Sequence, residues 1–279
     1  QLINIAEDHQ RVRVLRDRER AGQLNETIES AITDLRADGA SADKVRALLR
    51  KLRVRLVLTA HPSEAKRQEV LVKLTDISEL LSALERQQLL PRERSQVTED
   101  IVRRIEQLWQ TRPNRAQRAT VMDEVEFGLF FLTRCVMEVA VDIHLELQAS
   151  LERHYPDSEW SDIPPVLQFA SWIAGDRDGN PNVTPETTRE ALEVMRARAA
   201  TVYQSDVEYL RDRLTQSLNE VPVSEKLLSA LGDANPFAGR FAGEAYRQFL
   251  QTISDRLENH EYRRSDELLD DLNVVWTSL

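Results

Sequence analysis

The sequence Val54-Arg-Leu-Val-Leu-Thr-Ala-His61-Pro-Ser-Glu-Ala-Lys-Arg67 predicts a short strand that turns directly into a helix. Its first five residues are mostly apolar and include two valines, which is typical of a buried strand in a parallel sheet. Pro62 has the fixed φ and the missing N–H that suit the first position of a helix. We therefore expect His61 at the carboxyl end of a strand and at the amino end of a helix.

This junction has the features of an anion site. Unpaired N–H groups and the positive end of the helix dipole meet at the start of a helix. Lys66 and Arg67 add positive charge within the first turns of the same helix. A phosphate or carboxylate is expected to bind beside His61, whose imidazole changes its charge near neutral pH and so suits proton transfer.

A second short strand is expected at residues 166–171, followed by the polar loop Gly175-Asp-Arg-Asp-Gly-Asn-Pro181. Asp-Gly and Asn-Pro are turn pairs, so a tight turn explains part of this sequence. A calcium loop of the EF-hand type is excluded, because the glycine stands at the fourth position counted from Asp176 rather than at the sixth.

A turn alone requires neither Trp172 nor Arg177. Arginine makes planar, two-pronged contacts with carboxylates and phosphates. We therefore expect Arg177 either to pair with Asp176 or Asp178 or to face the anion pocket beside His61.

The rest of the chain is predicted to be helical. Residues 1–38 are expected to form two helices separated near Gly22, because apolar residues recur there at spacings of three and four. Further helices are expected at residues 42–52, 62–88, 92–110, 121–155, 185–219, 223–231, 240–258 and 265–279. The predicted fold class is mainly α with two short parallel-type strands, in one predominantly helical segment over residues 1–279.

The composition excludes several classes of function. A formal net charge of −10 argues against nonspecific binding to nucleic acid, which requires a basic face. We expect no membrane partner, since the most apolar stretch, residues 127–143, is interrupted by Arg134 and Glu138. Cys135 is the one cysteine of the chain. It is expected to be buried, and the lack of an intrachain disulfide favours a cytoplasmic location.

Two segments resemble phosphoenolpyruvate carboxylase. Thr59-Ala-His61-Pro-Ser63-Glu64, followed by Lys66-Arg67, is similar to the Thr-Ala-His-Pro-Thr-Glu signature of that family. Phe169-Ala-Ser-Trp172-Ile-Ala-Gly175-Asp-Arg-Asp-Gly-Asn-Pro181-Asn-Val-Thr184 is similar to its Ser-Trp-x-Gly-Gly-Asp-Arg-Asp-Gly-Asn-Pro block. The two matches stand in the order and at the distance that the family shows.

The resemblance implies a reaction and a fold. The family converts phosphoenolpyruvate and bicarbonate to oxaloacetate and phosphate with Mg2+ or Mn2+, and His61 would be its catalytic histidine. The family fold is an eight-stranded α/β (TIM-type) barrel wrapped in extra helices, of which this chain would be an incomplete, amino-terminal piece. The metal ligands would lie in the remaining carboxyl-terminal part. That part and further copies, in a homo-oligomer such as a tetramer, are the expected partners, and the piece alone is expected to be inactive.

Position and resemblance together assign further site residues. The substrate- or anion-binding residues are expected to be Lys66, Arg67, Arg115 and Arg177. The residues that support the site are expected to be Ser63, Glu64, Trp172, Asp176, Asp178 and Asn180.

The chain also departs from the family pattern. The family has Asp-Glu-Ile-Arg where this chain has Arg112-Pro-Asn-Arg115, so only Arg115 matches there, although Asp123-Glu124 agrees with a later Asp-Glu. Ala174 replaces the first of two glycines. Two alternatives therefore remain beside the carboxylase segment. One is a noncatalytic helical scaffold or regulatory module that keeps the anion pocket, and the other is a different phosphate-handling enzyme.

Overall fold

The structure is a computed structural model that describes residues 2–22, 25, 27–59, 68–85, 89–111, 119–232 and 236–279. The chain divides into two compact units, residues 1–191 and 192–279. Both units are predominantly helical. That the whole chain forms one segment of a larger barrel stays a prediction.

The elements follow the predicted order. The helices are α1 (Leu2–Arg20), α2 (Ile28–Ala37), α3 (Ala42–Leu49), α4 (Gln68–Glu85), α5 (Pro91–Trp109), α6 (Val121–Phe131), α7 (Met137–His154), α8 (Pro185–Arg213), α9 (Glu225–Ala230), α10 (Ala245–Glu258) and α11 (Ser265–Trp276). The strands are β1 (Val54–Leu58) and β2 (Leu167–Ser171). The predicted start of the helix at residue 62 lies outside the described residues. The long helix predicted from residue 121 contains a π-helical segment, Leu132–Val136, that the sequence pattern did not predict.

Local signals explain several element ends. Gly39 follows α2 with a left-handed φ of 75°, which glycine adopts without steric cost. The hydroxyl of Ser41 accepts a hydrogen bond from the N–H of Lys44 and so caps α3. Thr184 does the same at the start of α8, where its Oγ1 accepts from the N–H of Thr187 at 3.2 Å and Pro185 takes the first helical position.

The two strands pair in parallel, as predicted. The register joins Val54 to Leu167 at one end and Leu58 to Ser171 at the other. The carboxyl ends of both strands therefore lie at the same edge. Helices α2, α3 and α7 and the segment before β2 enclose an apolar core in this unit, and Val45, Leu151 and Trp160 are almost fully buried in it.

The prediction that β1 is a buried strand is wrong for this chain. Val54, Leu56 and Val57 are 42%, 50% and 46% exposed. The apolar run correctly predicted the strand, but burial also requires covering layers, and among the described residues the sheet has only two strands. An apolar strand surface is thus left open to solvent.

The prediction that Cys135 is buried is also wrong, because its side chain is exposed. The buried positions Val121, Val125 and Leu129 recur every four residues and form one stripe along α6. Cys135 follows Leu129 by six residues, which places it away from that stripe. An apolar stretch of sequence did not reveal which side of the helix is covered.

The unit of residues 192–279 has its own core. Tyr246, Phe249, Leu250, Ile253 and Leu257 recur at spacings of three and four along α10 and are all buried. They pack with buried apolar residues of α9 and α11. No helix in the described parts of the chain is both long enough and apolar enough to cross a bilayer.

Candidate functional site

The two polar segments leave the sheet at the same edge. The backbone N–H of Trp172 donates to the carbonyl of Leu58 at 2.9 Å, which extends the strand pairing by one bond. The chain continues from β1 through Thr59 and from β2 through Trp172. The structure thus confirms that both segments begin at the carboxyl ends of paired parallel strands, where α/β barrels carry their chemistry.

Six predicted site residues lie outside the described residues. They are His61, Ser63, Glu64, Lys66, Arg67 and Arg115. Their roles in catalysis, in anion binding and in support of the site stay predictions.

The loop after β2 is a series of tight turns, as its sequence predicted. The carbonyl of Trp172 accepts hydrogen bonds from the N–H groups of Gly175 and Asp176 at 3.0 and 3.1 Å. The Oδ1 atom of Asp176 accepts from the N–H of Gly179 at 3.3 Å. A Cβ atom on Gly179 would lie 2.9 Å from Oδ2 of Asp176, so a side chain there would displace this carboxylate. Asp176 therefore has a structural role in the loop.

Asn180 shapes the second half of the loop. Its Oδ1 accepts a hydrogen bond from the N–H of Asn182 at 3.0 Å, and its carbonyl accepts from the N–H of Val183 at 3.0 Å. These bonds turn the chain toward the first residues of α8. The side chain of Asn180 is thus used by the loop itself.

Ala174 is buried in the left-handed backbone region with a φ of 58°. This conformation favours glycine, which is the residue that the resembling family motif has at this place. The hydroxyl of Thr188 in the first turn of α8 donates to the carbonyl of Ala174 at 2.8 Å. Helix α8 therefore holds the loop at its strained residue.

Arg177 is exposed at the tip of the loop, and its Nη2 lies 3.5 Å from Oγ1 of Thr188. It forms no ion pair with Asp176 or Asp178, so the first of the two arrangements expected for it is not found among the described residues. The second, an orientation toward the anion pocket, stays a prediction because His61 lies outside them. Trp172 is 56% exposed and presents a large apolar surface at the same edge.

A cavity of about 430 Å³ lies beside the loop, and sequence reasoning missed it. It is bounded by the start of α6 and by the loop with the start of α8, including Glu124, Asn180, Thr187 and Glu190. The described lining carries two carboxylates and no cation, so this cavity does not match the predicted anion pocket. The Asp123-Glu124 pair was the feature of the sequence that could have indicated this cavity, because Glu124 lines it as a buried carboxylate.

Asp123 has a clear local role. Its N–H donates to Oγ1 of Thr120 at 3.2 Å, and its Oδ2 accepts from the N–H of Thr120 at 2.8 Å. This reciprocal pair is a capping box that begins α6. Within the residues that the structure describes, no three His, Cys, Asp or Glu side chains lie together as a metal site would require.

Taken together, the fold and the site define a class. The chain is a mainly helical protein with two short parallel strands, and a polar segment follows each strand at one sheet edge. The sequence pattern that describes phosphoenolpyruvate carboxylase matches residues 1–275. The chain belongs to the phosphoenolpyruvate carboxylase family.

Individual relatives agree with this assignment. The chain is 36% identical to a phosphoenolpyruvate carboxylase of Methylorubrum extorquens over 298 aligned positions, which cover 99% of this chain and 32% of the relative. It is 37% identical to one of Roseiflexus castenholzii over 310 positions, which cover 100% of this chain and 33% of the relative. The chain thus spans about a third of the length of these relatives.

Proposed function

We propose that this chain is the amino-terminal part of a phosphoenolpyruvate carboxylase and that it supplies the catalytic histidine, His61. The whole protein would convert phosphoenolpyruvate and bicarbonate to oxaloacetate and phosphate. Bicarbonate attacks the phosphorus atom, which gives carboxyphosphate and the enolate of pyruvate. His61 then assists the breakdown of carboxyphosphate, so that carbon dioxide can react with the enolate.

The observation that carries this proposal is the parallel register of β1 and β2. His61 is two residues beyond Thr59, a distance of at most about 7 Å along the chain. Thr59 follows Leu58, whose carbonyl is bonded to Trp172. In the proposal His61 lies near the loop that carries Arg177, so that one substrate can contact both segments.

Arg177 suits the anionic part of that substrate. It is exposed, it has no carboxylate partner among the described residues, and its only described contact is a weak one with Thr188. Its guanidinium is therefore available for a planar, two-pronged contact with a phosphate or carboxylate. In the proposal Arg177 binds substrate, while Asp176 and Asn180 hold the loop in shape.

The exposed apolar surface of β1 supports the barrel part of the proposal. Leu56 and Val57 stand open to solvent on neighbouring positions of a strand, and these side chains point to opposite faces of the sheet. Both faces of a parallel strand are normally covered. The rest of the protein, about two thirds of the length of the family members, would provide the other strands and the helices that cover both faces of β1, as in a TIM-type barrel.

The family's divalent cation, Mg2+ or Mn2+, would be held by the remaining part of the protein. The described residues offer no cluster of three ligands for it. In the proposal the metal ligands are assigned to that remaining part because of the resemblance to the family.

A coupled oxaloacetate assay tests the proposal. The chain alone, and the chain joined to the rest of its parent polypeptide, are supplied with phosphoenolpyruvate, bicarbonate and Mg2+. We expect turnover only in the completed protein, and we expect His61→Ala to abolish it. His144→Ala, a histidine of α7, is the matched control and should leave turnover intact. Turnover by the chain alone would refute the claim that it is incomplete.

Arg177→Gln in the completed protein tests the second segment. It should raise the KM for phosphoenolpyruvate, whereas Arg189→Gln, an exposed arginine in the first turns of α8, should not. A completed protein without turnover that still binds phosphoenolpyruvate would favour the scaffold or regulatory alternative, which the Arg112-Pro-Asn departure suggests. Turnover of another phosphorylated acid, but not of phosphoenolpyruvate, would favour a different phosphate-handling enzyme.

A further inference from the structure

A second cavity, of about 300 Å³, lies within the unit of residues 192–279. It is enclosed by the middle of α8 and by the connection from α10 to α11. Its floor is apolar and buried, since Leu257 and Leu268 are only 5% and 7% exposed. Ala199 and Ala200 of α8 line one wall, and their short side chains leave the space open. This volume is at the small end of the range for ligand sites.

The rim of the cavity is basic. Its titratable side chains, apart from two tyrosines, are Arg196, Arg256, His260, Arg263 and Arg264. None of the described residues that line it is a carboxylate, although the chain as a whole carries a formal net charge of −10. Cations gathered around a concave surface attract anions of small size. The cavity thus joins an apolar floor to a positive rim.

Two of these arginines are already engaged. Arg256 is bonded to Asp271 and lies over the ring of Tyr262 at 4.2 Å from its centroid. Arg264 pairs with Asp266. Their charges are largely compensated by these neighbours.

The other two arginines are available to a ligand. Arg196 donates from Nη2 to the carbonyl of Tyr262 at 2.7 Å, which fixes its guanidinium at the rim, and its other N–H groups have no partner among the described residues. The side chain of Arg263 has no hydrogen-bond or ion-pair partner in the described part of the chain. Helix α11 begins with Ser265 at the same rim, and the positive end of its dipole adds to the attraction for an anion.

We propose that this cavity binds a small organic anion with an apolar body. The apolar body lies on Leu257 and Leu268, and the carboxylate or phosphate is held by Arg196 and Arg263. A neutral apolar molecule would leave the two cations without a partner, and a bare inorganic ion would leave the apolar floor uncovered. The site belongs to the unit of residues 192–279 and does not depend on the carboxylase reaction.

Titration of the 279-residue chain with four probes tests this proposal. The probes are phenyl phosphate, benzoate, inorganic phosphate and phenol. Binding is measured by calorimetry and by the imidazole proton signals of the five histidines in NMR spectra. His260 lines the cavity, so its signal, assigned by its loss in His260→Gln, reports binding at this place. We expect phenyl phosphate or benzoate to bind more tightly than inorganic phosphate and phenol, and the better of the two identifies the anionic group.

Variants locate the binding. Arg263→Gln and Arg196→Gln should each weaken it roughly tenfold, the loss expected of one charged hydrogen bond. Arg92→Gln, an exposed arginine in the first turn of α5, is the matched control and should leave affinity unchanged. Ala200→Leu narrows the cavity without altering charge and should also weaken binding, while circular dichroism verifies that each variant is folded.

Three results would overturn the proposal. The first is that neither organic anion shifts the His260 signal. The second is that inorganic phosphate binds as tightly as phenyl phosphate, which would make the apolar floor irrelevant. The third is that Arg263→Gln and Arg196→Gln both bind as the unaltered chain does.

Discussion

Thr188 donates its hydroxyl to the carbonyl of Ala174 across 2.8 Å, and this bond joins the first turn of α8 to the one left-handed residue of the loop after β2. The same hydroxyl oxygen lies 3.5 Å from Nη2 of Arg177. One side chain therefore contacts both the strained backbone of the loop and the cation at its tip. The position of Arg177 depends on how firmly α8 holds the loop.

Thr188→Val should loosen this attachment while keeping the shape of the side chain. We expect the free energy of unfolding to fall by about 1 kcal/mol, because the carbonyl of Ala174 loses its partner. Urea denaturation measures the change. The matched control is Thr201→Val in the same helix, where the hydroxyl donates to the carbonyl of Ala197 at 3.0 Å within its own helix and a change within about 0.5 kcal/mol is expected. Equal losses in the two variants would contradict a special role for Thr188.

Substitution of Ala174 tests the left-handed backbone at φ 58°. Ala174→Val should lower the free energy of unfolding by about 2 kcal/mol or more, since a β-branched side chain is excluded from this region more strongly than alanine. Ala174→Gly should change it by less than about 1 kcal/mol. In the glycine variant the relief of backbone strain stabilises the folded chain. This gain is offset because a buried methyl group is lost and because glycine gives the unfolded chain more conformational freedom. Thermal and urea unfolding of both variants check this, and a valine variant as stable as the parent would contradict it.

The sequence predicted those features that local chemistry specifies. Thr184-Pro185 marks the start of α8, Gly39 the end of α2, and the apolar runs the two strands, because caps, turns and periodicity act over a few residues. The bond from Thr188 to Ala174 was not predicted, since it spans 14 residues and depends on packing.

The failures have a different physical origin. Val57 and Cys135 were expected to be buried because they lie in apolar sequence, yet both are exposed. Burial depends on what covers a residue, and the sequence pattern alone does not specify the cover. For the candidate site, the motifs correctly predicted that both polar segments begin at the same edge of the sheet. The contact of Arg177 with Thr188 was not predicted, because it depends on how the loop packs against α8.

Leu56→Thr tests whether the exposed side of β1 is covered in the completed protein. In this chain Leu56 is 50% exposed, so the free energy of unfolding should change by less than about 0.5 kcal/mol. In the completed protein the same substitution should cost about 1–3 kcal/mol, because a buried leucine is replaced by a polar residue. Leu151→Ala, at a position with 0% exposure, is the control and should cost about 2–5 kcal/mol in both. An equally small effect of Leu56→Thr in both proteins would contradict the barrel.

Glu29 links α2 to α7 and gives the stability of the chain an acid dependence. The hydrogen bond from Arg153, and after it the neighbouring side chains of Ser150 and His154, lower the pKa of Glu29 from 4.5 to about 2. The unfolded chain therefore takes up a proton at higher pH than the folded chain. The contribution of Glu29 is complete above pH 4.5 and is lost as the pH falls toward 2.

Glu29→Gln should accordingly lower the free energy of unfolding at pH 7, by at most about 1 kcal/mol because the ion pair with Arg153 is partly exposed. The difference from the parent should shrink steadily below pH 4.5. Urea denaturation at pH 7, 5, 4 and 3 measures it. Glu258→Gln, an exposed glutamate at the end of α10, is the control. A deficit in Glu29→Gln that stays constant down to pH 3 would show that its cause is not the carboxylate charge.

Tyr262 should give the chain an alkaline dependence of the opposite sign. Burial, and then the hydrogen bond from its hydroxyl to Asp271, raise the pKa of Tyr262 well above its ordinary value of 10.0. In the unfolded chain the phenol loses its proton near pH 10, while in the folded chain it keeps the proton. The stabilisation is therefore complete below pH 10 and is lost progressively as the pH rises above it.

Tyr262→Phe should lower the free energy of unfolding near neutral pH by about 1–3 kcal/mol, because the hydroxyl bonds a charged partner. Above pH 10 the variant should lose stability less steeply than the parent, since it has no phenol to ionise at this position. Urea denaturation between pH 9 and 11 measures this difference, as the slope of the free energy of unfolding against pH. Tyr209→Phe, whose ring is 55% exposed, provides the comparison. If both variants retain the slope of the parent, the hydrogen bond between Tyr262 and Asp271 does not govern the alkaline limit of this unit.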